Sequence, residues 1–337
     1  MAIASGLGFA CRPHHFPIRS PLRHCVISKV RPSTIAAIET FNEPESLYVK
    51  DNTNHDSVSP NGKLMESDRK APKWKKLGSK DIGISTSMIA RPTRVVLNGL
   101  KRKGYEVFLV GGCVRDLILG RTPKDFDVIT SAELKEVMRT FSRCEIIGRR
   151  FPICHVHIDD SIVEVSSFST CATKSGRSFS LAFERPFGCD QKDYVRWKNC
   201  LQRDFTINGL MFDPYAKIVY DYMGGLEDIK KAKVQTIVPA SFSFLEDCAR
   251  ILRAVRIAAR LGFRFSKETA QAVKNLSCSV LKLDKGRLLM EMNYMLAYGS
   301  AEASLRLLWR FGLLDILLPI QLHFAGSIFC APYFSET

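Results

Sequence analysis

Apolar and polar positions follow two rhythms along this chain, and the change between them divides it. From about residue 85 to 235, short apolar runs read as strands: Val107–Val110, Val128-Ile129, Ile153–Ile158 and Ile162–Phe168. Between them lie segments at helical spacing. One is Met88, Val95, Val96, Leu97 and Leu100; the next is Val114–Leu119. A third, Ala132–Phe141, carries Leu134, Val137, Met138 and Phe141 on one side. From Phe244 the rhythm is helical throughout. A single helix with a wide apolar side is predicted to run to Gly262, followed by Lys267–Leu276, Arg287–Ala297 and a pair over Ala301–Leu318 broken at Gly312. The pattern predicts a mixed α/β head over 85–235 and an all-α part over 236–320. Polar, aperiodic residues 46–84 read as linker, 170–198 as a mobile loop, and 321–337 as an irregular tail.

Composition changes this picture at three points. Across 337 residues, 49 Lys and Arg against 34 Asp and Glu give a formal charge of +15. That balance suits a polyanion, nucleic acid more readily than membrane, because no apolar run nears the roughly 18 residues of a span. The eleven cysteines form no CxxC pair and read as reduced thiols. Cys154, His155 and His157 lie close together, but no second cluster completes a zinc site. Residues 1–38 hold no Asp or Glu yet carry Arg12, Arg19, Arg23, Lys29 and Arg31 among Ser, His and Pro. Residues 1–45 are therefore expected to be a cleaved organelle transit peptide, for chloroplast or mitochondrion.

Candidate chemistry begins at Val107–Thr130. Gly111-Gly112 breaks the first strand at the start of a short helix, where backbone N–H groups can meet an anion. Asp125 and Asp127 are expected on one strand, hence on one face, where they repel unless a divalent cation lies between them. Glu164 alternates against Val163 and Val165 and so points away from their face. Arg149-Arg150 read as a basic turn ahead of a strand. Arg203 can offer a planar fork to phosphate, and Asn208 can bond triphosphate or ribose. Asp247 and Arg250 are three apart on the predicted helix. They form either a surface ion pair or a donor–acceptor edge reader: Asp accepts from an exocyclic amine while Arg donates to a ring acceptor. Such a pair admits adenine or cytosine and rejects guanine and uracil.

Together these stretches resemble the bacterial-type poly(A) polymerase and CCA-adding enzyme family of the DNA polymerase β nucleotidyltransferase superfamily. The resemblance rests on Gly111-Gly112-Cys113-Val114-Arg115-Asp116 with Asp125-x-Asp127, on Gln202–Leu210 (QRDFTINGL) and on Glu246-Asp247-Cys248-Ala249-Arg250. It covers roughly residues 90–320, while family members normally continue into a longer helical body. Departures are Gln202, where the family has Arg, and Ser169, where it often has Arg.

The resemblance implies template-independent transfer of AMP from ATP to RNA 3′ ends, with two Mg²⁺ ions and no membrane or obligate protein partner. Asp125, Asp127 and Glu164 would be catalytic, with Asp125 and Asp127 holding metal. Gly111, Gly112, Arg115, Arg203, Asp204, Asn208, Asp247, Arg250 and Arg253 would bind nucleotide, and Arg149 and Arg150 RNA. The run Ile146–Ile158 is similar to the poly(A) polymerase version of its hairpin. CCA addition to tRNA is the alternative, and an inactive truncated RNA-binding isoform is the alternative of another class.

Overall fold

Residues 74–148, 152–170, 185–297 and 300–318 are described by the computed structural model. Among them, eight strands form one mixed sheet in the order β1-β8-β7-β2-β3-β6-β5-β4. In chain order these are β1 (Lys75–Gly78), β2 (Val107–Val110), β3 (Asp127–Thr130), β4 (Cys144–Ile147), β5 (Ile153–Ile158), β6 (Ser161–Ser167), β7 (Leu210–Asp213) and β8 (Ile218–Asp221). Neighbours pair antiparallel except β3 with β6, which run parallel.

Alternation along the central strands separates the two faces of the sheet. Leu109, Val128, Val163 and Val165 face the larger core, with Val96, Leu97 and Leu100 of α1 (Arg91–Arg102) and Leu134 and Val137 of α3 (Leu134–Thr140). Phe108, Val110 and Ile129 face a smaller core, shared with Cys200 and Trp197 of α4 (Gln191–Leu201). Asp127 and Glu164 are out of step with Val128 and Val165, so they stand on the face that α4 only partly covers. The short helix α2 (Gly112–Ile118) follows β2.

The chain then leaves the sheet through α5 (Gly225–Lys230) and a two-stranded pair, β9 (Lys233–Val234) with β10 (Arg264–Phe265). The neck comprises α6 (Ala240–Glu246), α7 (Ala249–Leu261), α8 (Lys267–Asn275), α9 (Lys285–Ala297), α10 (Ala301–Arg310) and α11 (Leu314–Leu317). Ile251, Leu252, Ala254, Val255 and Ala258 bury one side of α7, which Gly262 closes in the left-handed region at φ 72°.

Five expectations need correction. Lys75–Gly78, assigned to the linker, pairs with β8 and belongs to the sheet; its KKLG pattern is too short to show a period. The loop expected over 170–198 contains the start of α4, N-capped where Asp190 accepts from the Asp193 N–H; its buried side is aromatic and polar rather than aliphatic. Asp125 is not on the strand: β3 begins at Asp127, because its register partner Val110 is the last residue of β2 before Gly111 turns away. The single helix from Phe244 is two, α6 and α7, broken at Asp247, whose backbone is extended (φ −144°, ψ 99°).

The α1 helix also starts later than Met88, at Arg91, next to Pro92 in its first turn. The transit-peptide, 171–184 and 321–337 expectations lie outside the described residues, as do Arg149 and Arg150.

Candidate active site

The turn after β2 fixes the geometry. Gly111 has φ 78°, a conformation L side chains rarely adopt. A Cβ there would stand 3.0 Å from Arg203 Nη1 and 3.4 Å from Asp127 Oδ2. Gly111 thus lets a carboxylate from the start of β3 and a guanidinium from just beyond α4 close in on the bare backbone.

Asp127 is the register partner of Glu164 across the parallel β3–β6 pair. Asp125, in the bend before β3, lines the same cavity, of about 850 Å³. Burial, then the charge of Glu164, pushes the Asp127 carboxyl up to about 6, against the pull of Arg203. Buried Cys113 next to it is pushed to about 12, first by burial and then by Asp127, and is an inert thiol. His155, cross-strand from Glu164, holds Nε2 3.7 Å from Oε1, beyond hydrogen-bond length.

Behind this face, the expected nucleotide ligands are bonded to one another. Arg115 is 5% exposed and donates through Nε and Nη2 to Asp116 Oδ1 at 2.9 and 2.6 Å, and through Nη1 to Asn208 Oδ1 at 2.7 Å. Asn208 donates to Asp204 Oδ1 at 2.9 Å, and Asp204 Oδ2 accepts from Arg253 Nη1 at 3.1 Å. Burial would raise the Asp204 carboxyl, but Arg253 and the Asn208 amide outweigh it and hold it below its ordinary value. Arg115, Asp204 and Asn208 all line the cavity, and much of their bonding capacity is used in bracing one another. Arg203 differs: its Nε is buried with no hydrogen-bond partner among the described residues, and its fork lines the cavity.

The neck supplies the facing wall. At the α6–α7 break Asp247 Oδ1 accepts from the Ala249 N–H at 3.1 Å. Arg250 does not pair with Asp247; its Nη1 reaches Glu246 at 3.1 Å and Ser243 Oγ at 3.0 Å. Both Asp247 and Arg250 line the cavity all the same. The sequence reading missed Lys124, Asn199, Arg260, Arg287 and Tyr294, which line it too. Only Arg260 had a local signal: it continues the three- and four-residue spacing of Arg250, Arg253 and Arg256. Glu291 of α9, 1% exposed, accepts from Arg256 Nε at 3.3 Å and lies 3.9 Å from Arg253 and Arg287.

Comparison with known proteins agrees with this layout. Residues 107–235 match the family model described as the poly A polymerase head domain, and 262–324 that described as the probable RNA and SrmB-binding site of polymerase A. Poly(A) polymerase I of Escherichia coli O6:H1 is 36% identical over 245 residues, covering 70% of this chain and 51% of the relative. The CCA-adding enzyme of Geobacillus kaustophilus is 33% identical over 247 residues, covering 72% and 59%. The solved structure of the Bacillus stearothermophilus CCA-adding enzyme in complex with CTP aligns with a TM-score of 0.55 at 30% identity, covering 67% of this chain and 53% of that one. The chain thus spans about half the length of these relatives.

Proposed function

The chain belongs to the bacterial-type poly(A) polymerase and CCA-adding enzyme family, and from that premise we propose that it adds AMP from ATP to RNA 3′ ends without a template. Its fold is the nucleotidyltransferase head of the DNA polymerase β superfamily followed by an all-α neck. Relatives of both kinds support RNA nucleotidyl transfer as the reaction class.

The observation that carries the reading is the convergence on one cavity of Asp125, Asp127 and Glu164 with Arg203 and, opposite, Asp247 and Arg250. In the reaction the RNA 3′-oxygen bonds to the α-phosphorus of ATP, the bond from that phosphorus to the bridging oxygen breaks, and pyrophosphate leaves. Arg203, beside the bare Gly111 turn, holds the triphosphate. Asp247 accepts from the adenine amine and Arg250 donates to the ring nitrogen.

Magnesium fits the donor set. Hard oxygen ligands gather there, and the Asp127 carboxyl is raised first by burial and then by the neighbouring Glu164 charge, which Arg203 does not fully offset. Among the described residues no three His, Cys, Asp or Glu side chains form a closed metal cluster. Mg²⁺ needs none, since it takes one or two carboxylates and completes its shell with water and phosphate. Asp125 and Asp127, with Glu164, would hold two ions. When bound, they lower the pKa of the attacking hydroxyl and stabilise the leaving pyrophosphate.

The Asp–Arg pair admits cytosine as well as adenine, so CCA addition is the second reading. The Ile146–Ile158 run favours AMP addition by its resemblance. Arg149 and Arg150 are proposed to touch RNA, and residues 1–45 to be an organelle address that a fused fluorescent reporter would reveal. The deciding experiment is the product ladder on a tRNA lacking its 3′ terminus, with ATP and CTP present. Repeated A addition supports the proposal; two C residues and one A, followed by arrest, overturn it in favour of CCA addition.

A further inference from the structure

Arg253 and Arg260 lie seven residues apart on α7, two turns along the same side. Each reaches a buried acid of the head. Arg253 Nη1 donates to Asp204 Oδ2 at 3.1 Å, and Arg260 Nη2 donates to Asp116 Oδ2 at 3.3 Å. Those two acids are joined inside the head through Asn208 and Arg115. The result is a closed circuit: Arg253, Asp204, Asn208, Arg115, Asp116, Arg260 and back along α7.

Its innermost member, Arg115, lies against the phosphate-facing turn. A Cβ at Gly112 would stand 3.5 Å from Arg115 Nη2. Asp116 is 3% exposed and also accepts the Arg121 N–H on its backbone oxygen at 2.8 Å. Arg260 donates in addition to nothing in the circuit but this acid, while Arg121 Nη1 donates to the Arg260 carbonyl at 3.1 Å, a second tie between the same two segments.

We propose that Arg260 is a positioning residue. Through Asp116 it fixes the Arg115 fork, and with it the Gly111-Gly112 turn, in the pose that receives the triphosphate. The inference rests on the proposed function only in identifying that turn as the phosphate site. Coupling of this kind is carried by a contiguous bonded network with two ends, here the neck helix and the turn. Removing one end lets Arg115 and Asp116 relax together as a local pair.

The test uses the full chain and inorganic tripolyphosphate with Mg²⁺ as probe, alongside steady-state transfer from ATP to RNA. Arg260→Gln should weaken tripolyphosphate binding and raise the KM for ATP by about threefold to thirtyfold. The KM for RNA and the melting temperature should stay near wild type, because buried Asp116 keeps its charged partner Arg115 through two hydrogen bonds. Arg260→Lys, which keeps a donor to Asp116, should restore most of the loss. Unchanged tripolyphosphate affinity in Arg260→Gln would overturn the inference while leaving the proposed function standing. An Arg260-dependent tripolyphosphate site in a chain that transfers no nucleotide would do the reverse.

Discussion

Asp127 on β3 and Glu164 on β6 are direct register partners across the parallel pair at the centre of the sheet. Their carboxylates share the face left open by α4, and Asp125 joins them from the preceding bend. Removing any one of the three tests the assignment. Asp125→Asn or Asp127→Asn should cut nucleotide transfer by at least about a hundredfold, with RNA affinity near wild type. Glu164→Gln should fall short of that loss if it supports the pair rather than completes it. Single-turnover assays with saturating ATP read this out; wild-type turnover in either Asp variant would remove the metal assignment.

Crowded carboxylates make the metal-free protein pH-sensitive. Asp127 has its folded pKa raised from 3.8 to about 6. The folded state therefore keeps its proton when the unfolded chain has lost it. Stability from this group is full below about pH 4 and is lost as pH rises through about 6. In EDTA, Asp127→Asn should melt a few degrees above wild type at pH 7.5 and equal it near pH 4. Added Mg²⁺ should narrow the gap at pH 7.5 by stabilising the wild type alone.

The Asp204–Arg253 pair has the opposite sign. Arg253→Leu strands a buried carboxylate and should cost roughly 3 kcal/mol in urea unfolding at pH 7. Asp204 titrates below its ordinary value, so its contribution is present above about pH 4 and is lost as pH falls through the lowered folded pKa. The deficit of Arg253→Leu should accordingly shrink at pH 3.

Gly111→Ala places a Cβ at φ 78° and 3.0 Å from Arg203 Nη1. The backbone strain alone should cost about 1–2 kcal/mol. Displacement of Arg203 should reduce kcat/KM for ATP further than that loss explains, whereas Gly120→Ala, also at positive φ but with open space around it, should affect stability alone.

On the wall proposed to read the base, Arg250 is anchored by Glu246 and Ser243. Arg250→Ala should lower the preference for ATP over GTP by about tenfold or more, measured by competition in one reaction. Glu246→Gln should weaken it less, since Ser243 still holds the guanidinium. Equal use of ATP and GTP by the wild type would end this reading of the pair.

Much of the molecule was legible in the residues themselves, for a local physical reason. Strand β2, the Gly111-Gly112 break, the amphipathic α1 and α3, and the helical neck are set by apolar spacing and backbone preference within a few residues. That Asp125, Asp127, Asp247 and Arg250 belong to one cavity was anticipated because carboxylate pairs and Asp–Arg neighbours stand out as short motifs. Only tertiary structure decided which of the cavity-lining polar groups are bonded to one another and which, like Arg203 Nε, are not. Arg115 finds Asn208 across 93 positions of sequence, and Arg260 finds Asp116 across 144. The first depends on how the segment after α4 returns to α2 inside the head and the second on how α7 docks against it, neither of which a local pattern encodes. The same holds for the start of β3: Asp127 enters the sheet and Asp125 does not, because the turn at Gly111 leaves no strand for Asp125 to pair with.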